Sequence, residues 1–257
     1  MNVEAFIIHL ERAGKRQSQV DKIRLALPIA SHVMAAVDWK ALTESELLAQ
    51  VGRDLALPKF PFRLKKSEIA CFLSHRKAWS QIEQRGLDAA LILEDDIEID
   101  PKVFAAAYDM AVKVVSSTGF VRFPERLREK PGEQIASGKG LALFHSAQTG
   151  LGMRAQLISA DCARQLLQYS QVFDRPVDGF LQLRWFHGIR PTTVFPAGIS
   201  EVSHLLGGST IRSPKTFMER IHAEVMRPVY RWKLARMARI DAKETNGGGP
   251  TGVQNKD

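Results

Sequence analysis

A short apolar run that ends in three consecutive acids constrains the fold of this chain more than any other stretch. The run at 89–93 is too short to be a helix of its own, and its unbroken apolar character is typical of a buried strand. Glu94, Asp95 and Asp96 follow it directly, with no basic residue beside them. In open α/β sheets, ligands bind beyond the carboxyl ends of the strands. The sequence therefore predicts a sheet with carboxylates at its ligand-binding edge, and a solvated acidic turn is the alternative.

The rest of the chain alternates between strand-like and helix-like patterns. Further strands are predicted at 3–10, 120–123, 141–144, 153–158 and 192–195. Helices are predicted at 14–27, 43–51, 67–85, 101–115, 159–169 and 176–185, with Thr43, Ser67, Asp100 and Ser159 as N-terminal caps. The loops around Pro131 and Gly138 are expected to be mobile. This alternation predicts an α/β fold, in which a central, mostly parallel sheet carries helices on both faces.

Composition places the chain among ordinary globular proteins. Of its 257 residues, 45% are hydrophobic and 25% are charged, which excludes a disordered, collagen-like or coiled-coil chain. Two cysteines cannot build a disulfide framework, and the sequence has no zinc-ligand spacing. It also lacks the features of a secretory signal and any apolar stretch long enough to span a membrane. We therefore expect a cytoplasmic protein.

The positive charge of the chain is concentrated towards its C-terminal end. The net charge is +8, and residues 214–240 carry seven basic side chains against two acidic ones. Apolar residues recur there every three or four positions, which predicts an amphipathic helix with a kink or restart at Pro228. These residues are Phe217, Ile221, Val225, Val229 and Trp232. We expect an α/β domain over 1–213, a basic helical extension over 214–242 and a flexible tail over 243–257.

Two interpretations of this extension are open. Its basic and aromatic residues suit the headgroup region of an anionic membrane. The residues concerned are Arg220, Arg227, Arg231, Trp232, Lys233 and Arg236. Alternatively, the apolar stripe packs on the domain and the basic residues are solvated. Nucleic acid is not an expected partner, because the sequence contains no recognisable nucleic-acid-binding motif.

Two motifs stand close together in the first half of the chain. They are SEIACFLSHRKAW at 67–79 and LILEDD at 91–96. Together they resemble the paired signature of glycosyltransferase family 25, whose bacterial members include lipooligosaccharide galactosyltransferases. Further segments follow in the family order: FIIHLERAGKR at 6–16, AAVDWK at 35–40, VRF at 121–123, LISADCARQLL at 157–167, RPVDGFLQ at 175–182 and GGSTIR at 207–212. The ordered set is specific, although each piece alone is not.

The resemblance implies a GT-A-like nucleotide-sugar-binding fold, a divalent cation and inverting transfer. Carboxylates are suitable ligands for Mn²⁺ or Mg²⁺, which would screen a departing diphosphate. Asp96 and Glu94 are the expected metal ligands. The residues expected to bind the donor are Glu94, Asp95, Arg16, Ser74 and His75.

Further candidate residues follow from the chemistry of an inverting transfer. The acceptor hydroxyl needs a base, and Asp178 in the Pro-Val-Asp motif is the candidate, although a carboxylate there also suits a helix cap. Glu201 and His204 are candidates for contact with the metal, the donor or the acceptor. Cys71 lies four residues before His75, on the same helix face. We considered a thiolate–histidine pair and favour a buried thiol beside a hydrogen-bonded histidine.

Several positions depart from the family pattern and leave the donor sugar open. His9 stands in place of asparagine, Ser67 and Ala70 in place of glycines, and Arg154-Ala155 in place of a glycine–tyrosine pair. Galactose is the favoured sugar. A lipid-linked lipopolysaccharide or lipooligosaccharide glycan at the inner face of the cytoplasmic membrane is the favoured acceptor. The alternatives are a metal-dependent nucleotidyltransferase and an inactive, membrane-associated partner that keeps the fold.

Overall fold

An eight-stranded sheet forms the centre of the fold. The computed structural model describes residues 1–129, 131–146, 148–206 and 217–247, and within the last range it describes the side chains of 222 and 224–243. The GGSTIR motif at 207–212, residues 248–257 and the side chains of Phe217, Arg220 and Ile221 therefore lie outside the described part of the chain.

Six of the eight strands of this sheet point in the same direction. In sheet order they are β2 (Ser31–Ala35), β1 (Val3–His9), β3 (Ala89–Glu94), β8 (Ala155–Ser159), β5 (Phe120–Arg122), β9 (Thr192–Phe195), β7 (Leu141–Ser146) and β6 (Pro131–Gly138). Strands β8 and β7 are antiparallel to their neighbours, and the other pairings are parallel. The expected mostly parallel sheet is confirmed. A separate antiparallel pair, β4 (Ile97–Ile99) and β10 (Ile199–Glu201), was not predicted.

Helices cover both faces of the central sheet. They are α1 (Gln17–Ala26), α2 (Glu44–Leu48), α3 (Lys66–Gln84), α4 (Pro101–Val112), α5 (Val115–Thr118), α6 (Ala160–Tyr169), α7 (Val177–Phe180), α8 (Arg184–His187) and α9 (Phe217–Gly247). Successive residues of a strand point to opposite faces. Ile7 of β1 accordingly belongs to the core with α1 and α4, whereas Phe6 belongs to the core with α3 and α6. The predicted α/β layering is confirmed.

Side chains at the starts of several helices explain where these helices begin. Thr43, Asp100 and Ser159 cap α2, α4 and α6 by accepting hydrogen bonds from backbone N–H groups of the first turn, as predicted. The prediction that Ser67 caps α3 is wrong, because α3 begins one residue earlier and Ser67 lies in its first turn. The backbone N–H that precedes α3 donates instead to Glu68 at 2.8 Å.

Two other predictions of local structure are wrong. The segment around Pro131 and Gly138, expected to be a mobile loop, is strand β6, which pairs with β7. Its residues are mostly exposed and polar, so a search for apolar runs does not find it. The single helix expected at 176–185 is two short helices, α7 and α8, with the buried residues Leu181 and Leu183 between them.

Helix α9 packs on the α/β core through a face that the sequence pattern did not predict. Its buried residues recur every four positions and are Tyr230, Leu234 and Ala238. The expected stripe is exposed at its described positions, which are Val225, Val229 and Trp232. At about 100° per residue, these two faces lie on opposite sides of the helix. Pro228 lies inside one continuous helix. None of the described helices has the length and apolarity needed to cross a bilayer.

Arg175 attaches α9 to the rest of the fold. The side chain of Arg175 is fully buried, and its guanidinium donates to Tyr230 Oη at 2.9 Å. It also donates to the carbonyl oxygens of Ala56 at 2.8 Å and Pro58 at 3.2 Å, and to the carboxylate of Asp174. A buried charge is tolerated only when it is paired and hydrogen-bonded. Arg175 therefore fixes the position of α9 beside the segment that leads into α7.

We expect Tyr230→Phe to lower the free energy of unfolding by about 1 to 3 kcal/mol, because it removes a hydrogen-bond acceptor from a buried guanidinium. Chemical denaturation of the full chain measures this effect. Trp232→Ala is the matched control, since Trp232 is an exposed aromatic residue on the opposite face of α9. We expect the control to change stability by less than about 0.5 kcal/mol. Equal losses in the two variants would argue against the attachment through Tyr230.

Candidate functional site

A pocket lies where β1, β2 and β3 end, and we call it the acidic pocket. Its volume is about 110 Å³. Its polar side chains are those of Arg12, Arg16, Ser67, Cys71, Ser74, His75, Glu94, Asp95 and Asp96. The strand ends supply the acids, and helix α3 supplies the residues from 67 to 75. The acids are thus at the carboxyl edge of parallel strands, where the sequence predicts a ligand site.

Asp95 is held from two sides inside this pocket. Its buried carboxylate accepts a hydrogen bond from Arg16 Nη1 at 2.5 Å, and its other oxygen lies 2.7 Å from His9 Nδ1. Arg16 is also buried and lies 3.5 Å from the carboxylate of Asp96. Arg16 therefore neutralises acids that have no basic neighbour in the sequence. Its guanidinium contacts the carboxylates of Asp95 and Asp96, and the predicted contact of Arg16 with the donor stays a prediction.

Glu94 and Asp96 leave an excess of negative charge in the acidic pocket. Among the described residues, Asp96 Oδ1 has no hydrogen-bond partner, although the side chain is only 17% exposed. Burial, followed by the charge of Glu94, raises the pKa of Asp96 to about 7, and Arg16 opposes this rise. A cation placed here would favour the ionised form of Asp96.

Cys71 and His75 face the same carboxylates from helix α3. His75 is buried, and its Nδ1 lies 3.0 Å from the side-chain amide of Gln156. Its Nε2 has no hydrogen-bond partner within the described part of the chain and lies 3.5 Å from Glu94 Oε1. Burial, followed by nearby carboxylates of which Glu94 is the strongest, raises the pKa of Cys71 well above its usual range. A protonated thiol is a poor nucleophile, which disfavours a thiolate–histidine pair.

A second wall of the acidic pocket lies beside α3 and contains residues that were not predicted from the sequence. Trp39 and Arg12 line it, and Arg12 donates to Asp38 at 2.6 Å. Ser74 holds this wall against α3, because its hydroxyl accepts the N–H of Val37 at 2.9 Å. The AAVDWK motif, which follows a strand and combines an aromatic residue with charges, is the signal that could have identified this wall.

The residues of the acidic pocket fit a divalent cation. Glu94 and Asp96 offer oxygen ligands, and His75 offers a nitrogen. Asp96 Oδ1 and His75 Nε2 are buried polar atoms without a hydrogen bond among the described residues, and a cation in the pocket would give both a partner. The fold thus brings together Glu94, Asp96, Ser74 and His75 in one pocket, while their individual roles remain predictions.

A second pocket, of about 230 Å³, adjoins the acidic pocket. We call it the arginine pocket because it is lined by Arg122, Arg126, Arg128 and Arg154. The two pockets are neighbours, since the backbone N–H of Glu94 donates to the carbonyl oxygen of Arg154 at 2.8 Å. Glu129 accepts from Arg122 at 2.6 Å, and Glu201 accepts from Arg154 at 2.5 Å. These ion pairs offset much of the positive charge of the arginine pocket.

Asp178 lines the arginine pocket from the first turn of α7. Its carboxylate accepts hydrogen bonds from the backbone N–H groups of Gly152 at 3.1 Å and Gly179 at 2.8 Å. Burial raises the pKa of Asp178, those two hydrogen bonds oppose the rise, and the charge of Glu94 adds to it. Asp178 is therefore not the N-cap of α7, which is Pro176, but from the first turn it accepts hydrogen bonds from backbone N–H groups and also presents a carboxylate of raised basicity to a pocket.

Glu201 and His204 are not among the residues that line the two pockets. Glu201 ends β10, and its carboxylate accepts from Ser203 Oγ at 2.5 Å as well as from Arg154. His204 is exposed in the turn that follows. Glu201 thus contacts the arginine pocket through Arg154, a residue that departs from the family pattern.

Comparison with known proteins gives a consistent set of relatives. Residues 2–181 match glycosyltransferase family 25 (LPS biosynthesis protein). Procollagen galactosyltransferase 1 of Danio rerio is 35% identical over 100 residues, which are 38% of this chain and 17% of that protein. Inactive glycosyltransferase 25 family member 3 of Mus musculus is 31% identical over 189 residues, which are 69% of this chain and 31% of that protein. The chain spans about a third or less of the length of these relatives.

One solved structure found by comparison is that of a mutant of Drosophila beta-1,4-galactosyltransferase 7 in complex with manganese, UDP-Gal and xylobiose. The match has a TM-score of 0.43 and 12% sequence identity, and it covers 86% of this chain and 79% of that chain.

We expect Arg16→Met to destabilise the chain by about 3 to 5 kcal/mol, because it removes the cation that faces the buried carboxylate of Asp95. The measurement is the free energy of unfolding by chemical denaturation. Arg12→Met is the matched control, since Arg12 lines the same pocket but is 38% exposed in its pair with Asp38. We expect the control to lose less than about 1 kcal/mol. Wild-type stability in Arg16→Met would mean that Arg16 is available to bind a phosphate.

Proposed function

The chain belongs to glycosyltransferase family 25, and from this premise we propose that it is an inverting, metal-dependent hexosyltransferase. It transfers a hexose from a nucleoside diphosphate sugar to a glycan of lipopolysaccharide or lipooligosaccharide. The observation that carries this proposal is the acidic pocket, in which the unpartnered Asp96 Oδ1 and His75 Nε2 lie beside Glu94.

The acidic pocket is the proposed donor site. Glu94 and Asp96 bind a divalent cation, Mn²⁺ or Mg²⁺, which would offset the negative charge that develops on the departing diphosphate. The buried pair of Asp95 and Arg16 keeps the acids in place, and Ser74 fixes the facing wall. Trp39 gives that wall an aromatic surface for a nucleotide base.

The arginine pocket is the proposed acceptor side, with Asp178 as the base. Asp178 takes the proton of the acceptor hydroxyl while the hydroxyl oxygen forms a bond to the anomeric carbon of the donor sugar. The bond from that carbon to the diphosphate breaks at the same time, with inversion. A carboxylate whose pKa is raised by burial is a stronger base than an exposed one. Arg154 lies between the two pockets, so Glu201 contributes by holding Arg154 in position.

The relatives favour particular substrates. Four of the matched relatives are named procollagen galactosyltransferases, which favours galactose as the sugar. The family description as an LPS biosynthesis protein favours a bacterial glycan as the acceptor. Because the chain spans only part of each relative, both assignments belong to the proposal.

A second candidate function is that of an inactive partner that keeps the fold. Relatives named as inactive or probably inactive family members align with 69% of this chain, about the same share as the 71% aligned with procollagen galactosyltransferase 1-B. The replacements at His9 and Arg154 fall within the network around the two pockets. Metal-dependent binding of a nucleotide sugar separates the two functions, since an inactive partner has no need of it.

We expect Asp96→Asn and Asp178→Asn to fail at different steps. Asp96→Asn loses a metal ligand, so Mn²⁺-dependent binding of UDP-galactose should weaken at least about tenfold and transfer should be lost. Asp178→Asn loses the base, so turnover should fall at least about 100-fold while donor affinity is unchanged. Isothermal titration measures donor binding, and release of UDP in the presence of extracted lipopolysaccharide measures turnover.

The control for both substitutions is Asp109→Asn, which removes an exposed carboxylate on α4 and should leave binding and turnover unchanged. Unchanged Mn²⁺-dependent donor binding in Asp96→Asn would refute the metal site. Unchanged turnover in Asp178→Asn would remove Asp178 as the base.

The proposed location is the inner face of the cytoplasmic membrane, bound through the outer face of α9. Trp232 is 62% exposed, and Arg236 lies 5.9 Å from the centre of its ring. Val225 and Val229 extend this exposed face along the helix. The basic residues of α9 with described, exposed side chains are Arg227, Arg231, Lys233, Arg236, Arg239 and Lys243. At about 100° per residue, Arg236, Arg239 and Lys243 lie on the same side of the helix as Trp232. A basic helix with an exposed aromatic and aliphatic face suits an anionic lipid surface and would bring a lipid-linked glycan to the enzyme.

We expect Arg236→Glu/Arg239→Glu to weaken binding to vesicles containing anionic phospholipid at least about tenfold, since each basic residue near such a surface contributes about 1 kcal/mol. Flotation of the full chain with anionic and with zwitterionic vesicles measures this binding. Lys22→Glu/Arg24→Glu is the matched control, because it makes the same change in net charge at exposed positions of α1. Equal losses in the two double variants would assign any binding to the charge of the whole protein.

A further inference from the structure

Two ligand atoms other than oxygen lie next to Glu94 in the acidic pocket. Cys71 and His75 occupy one face of α3, four residues apart. One ligand atom from each of Cys71, His75 and Glu94 lies within 4.8 Å of the other two. Atoms bound to one cation at about 2.0 to 2.3 Å lie no more than about 4.6 Å apart. A small movement of the side chains therefore brings all three onto a single ion.

The surroundings of His75 suit a ligand on its Nε2. Gln156 is buried on β8, and its amide nitrogen lies 3.0 Å from His75 Nδ1, while its Oε1 has no partner among the described residues. A half-turn of this amide lets its oxygen accept a hydrogen bond from Nδ1–H, and the lone pair of Nε2 then faces Glu94. Metal-binding histidines commonly donate their second N–H to a fixed oxygen in this way. The half-turn and a cation together satisfy both ring nitrogens.

We propose that Cys71 and His75 bind the cation together with Glu94, and that the acidic pocket consequently selects transition metals over Mg²⁺. The inference rests on the proposed function, which binds a divalent cation through Glu94 and Asp96 but does not include the thiol of Cys71 and implies no metal selectivity. Imidazole and thiolate suit Zn²⁺ and Co²⁺, whereas Mg²⁺ requires oxygen ligands in octahedral geometry. Affinity should therefore fall from Zn²⁺ and Co²⁺ to Mn²⁺ and then to Mg²⁺. The thiol of Cys71 releases its proton to solvent when its sulfur binds the ion.

A buried thiol beside a hydrogen-bonded histidine is the simpler interpretation of this pair. It accounts for Cys71, but it leaves His75 Nε2 without a hydrogen bond among the described residues, 3.5 Å from Glu94 Oε1, in a side chain that is 1% exposed. Buried polar atoms in folded proteins nearly always have a partner. The metal interpretation supplies that partner and also uses the carboxylates that share the pocket.

The test is a titration of the metal-free, full chain with Co²⁺ alone, followed by absorption spectroscopy. A bond between Co²⁺ and a thiolate gives a charge-transfer band in the near ultraviolet. The chain has two cysteines, Cys71 and Cys162, so two single variants assign the band. We expect the band in the wild type and in Cys162→Ser, and its absence in Cys71→Ser. Cys162 is the matched control, because it is buried on α6 and does not line the acidic pocket.

Selectivity is measured by competition between ions on the same protein. We expect bound Co²⁺ to withstand about a hundredfold excess of Mg²⁺ in the wild type. His75→Leu should weaken Co²⁺ binding at least about tenfold and leave Mg²⁺ binding nearly unchanged. If His75→Leu fails to fold, the band and the competition in the wild type still decide the matter.

The inference and the proposed function fail in different measurements. Co²⁺ binding without a thiolate band, displacement of Co²⁺ by an equal amount of Mg²⁺, or no binding of Co²⁺ would each overturn the assignment of Cys71 and His75. Binding without the band would leave a carboxylate site that still serves the proposed transferase. The transferase itself fails if no sugar is transferred in the presence of Mn²⁺, whatever the spectrum shows.

Discussion

The buried contact of Asp95 with Arg16 and His9 holds together the end of the sheet at which the proposed chemistry takes place. It joins the end of β1, the turn before α1 and the residue that follows β3. A buried carboxylate that loses its partners costs several kcal/mol, so none of these three segments can move away without a large penalty. Asp95 thus fixes the position of the three consecutive acids. Its neighbours Glu94 and Asp96 are the two that suit a ligand.

Glu94 and Asp96 carry more negative charge than the surrounding side chains neutralise. The guanidinium of Arg16 interacts with both Asp95 and Asp96. Arg12 also lines the acidic pocket, but it is paired with Asp38. The raised pKa of Asp96 reflects this excess and the burial of its side chain. A bound cation would reduce the repulsion between these carboxylates and would therefore stabilise the folded chain. The negatively charged diphosphate of a sugar donor would then contact the cation instead of the carboxylates of Glu94 and Asp96.

The sequence alone predicts the features that depend on residues close together in the chain. The strand before the acids and the helix that carries Cys71 and His75 follow from apolar periodicity within short windows. It was not sufficient for contacts between distant segments, such as the pair of Arg16 and Asp95, which are 79 residues apart. Helix α9 has two apolar faces on opposite sides, and the periodicity of apolar residues does not show which of them packs against the core. Tyr230 is buried because it meets Arg175, a partner that the helix sequence does not reveal.

Helix α9 connects the proposed membrane surface to the proposed base. Its buried face is attached to Arg175, which is separated from Asp178 by only two residues, Pro176 and Val177. Its opposite face exposes Trp232. Because a short, packed segment joins these two points, binding of the outer face to lipid would set the height of Asp178 above the membrane. A glycan attached to a lipid in that membrane could then reach the base only from a limited range of distances. The membrane-binding helix would therefore contribute to the choice of the acceptor hydroxyl as well as to location.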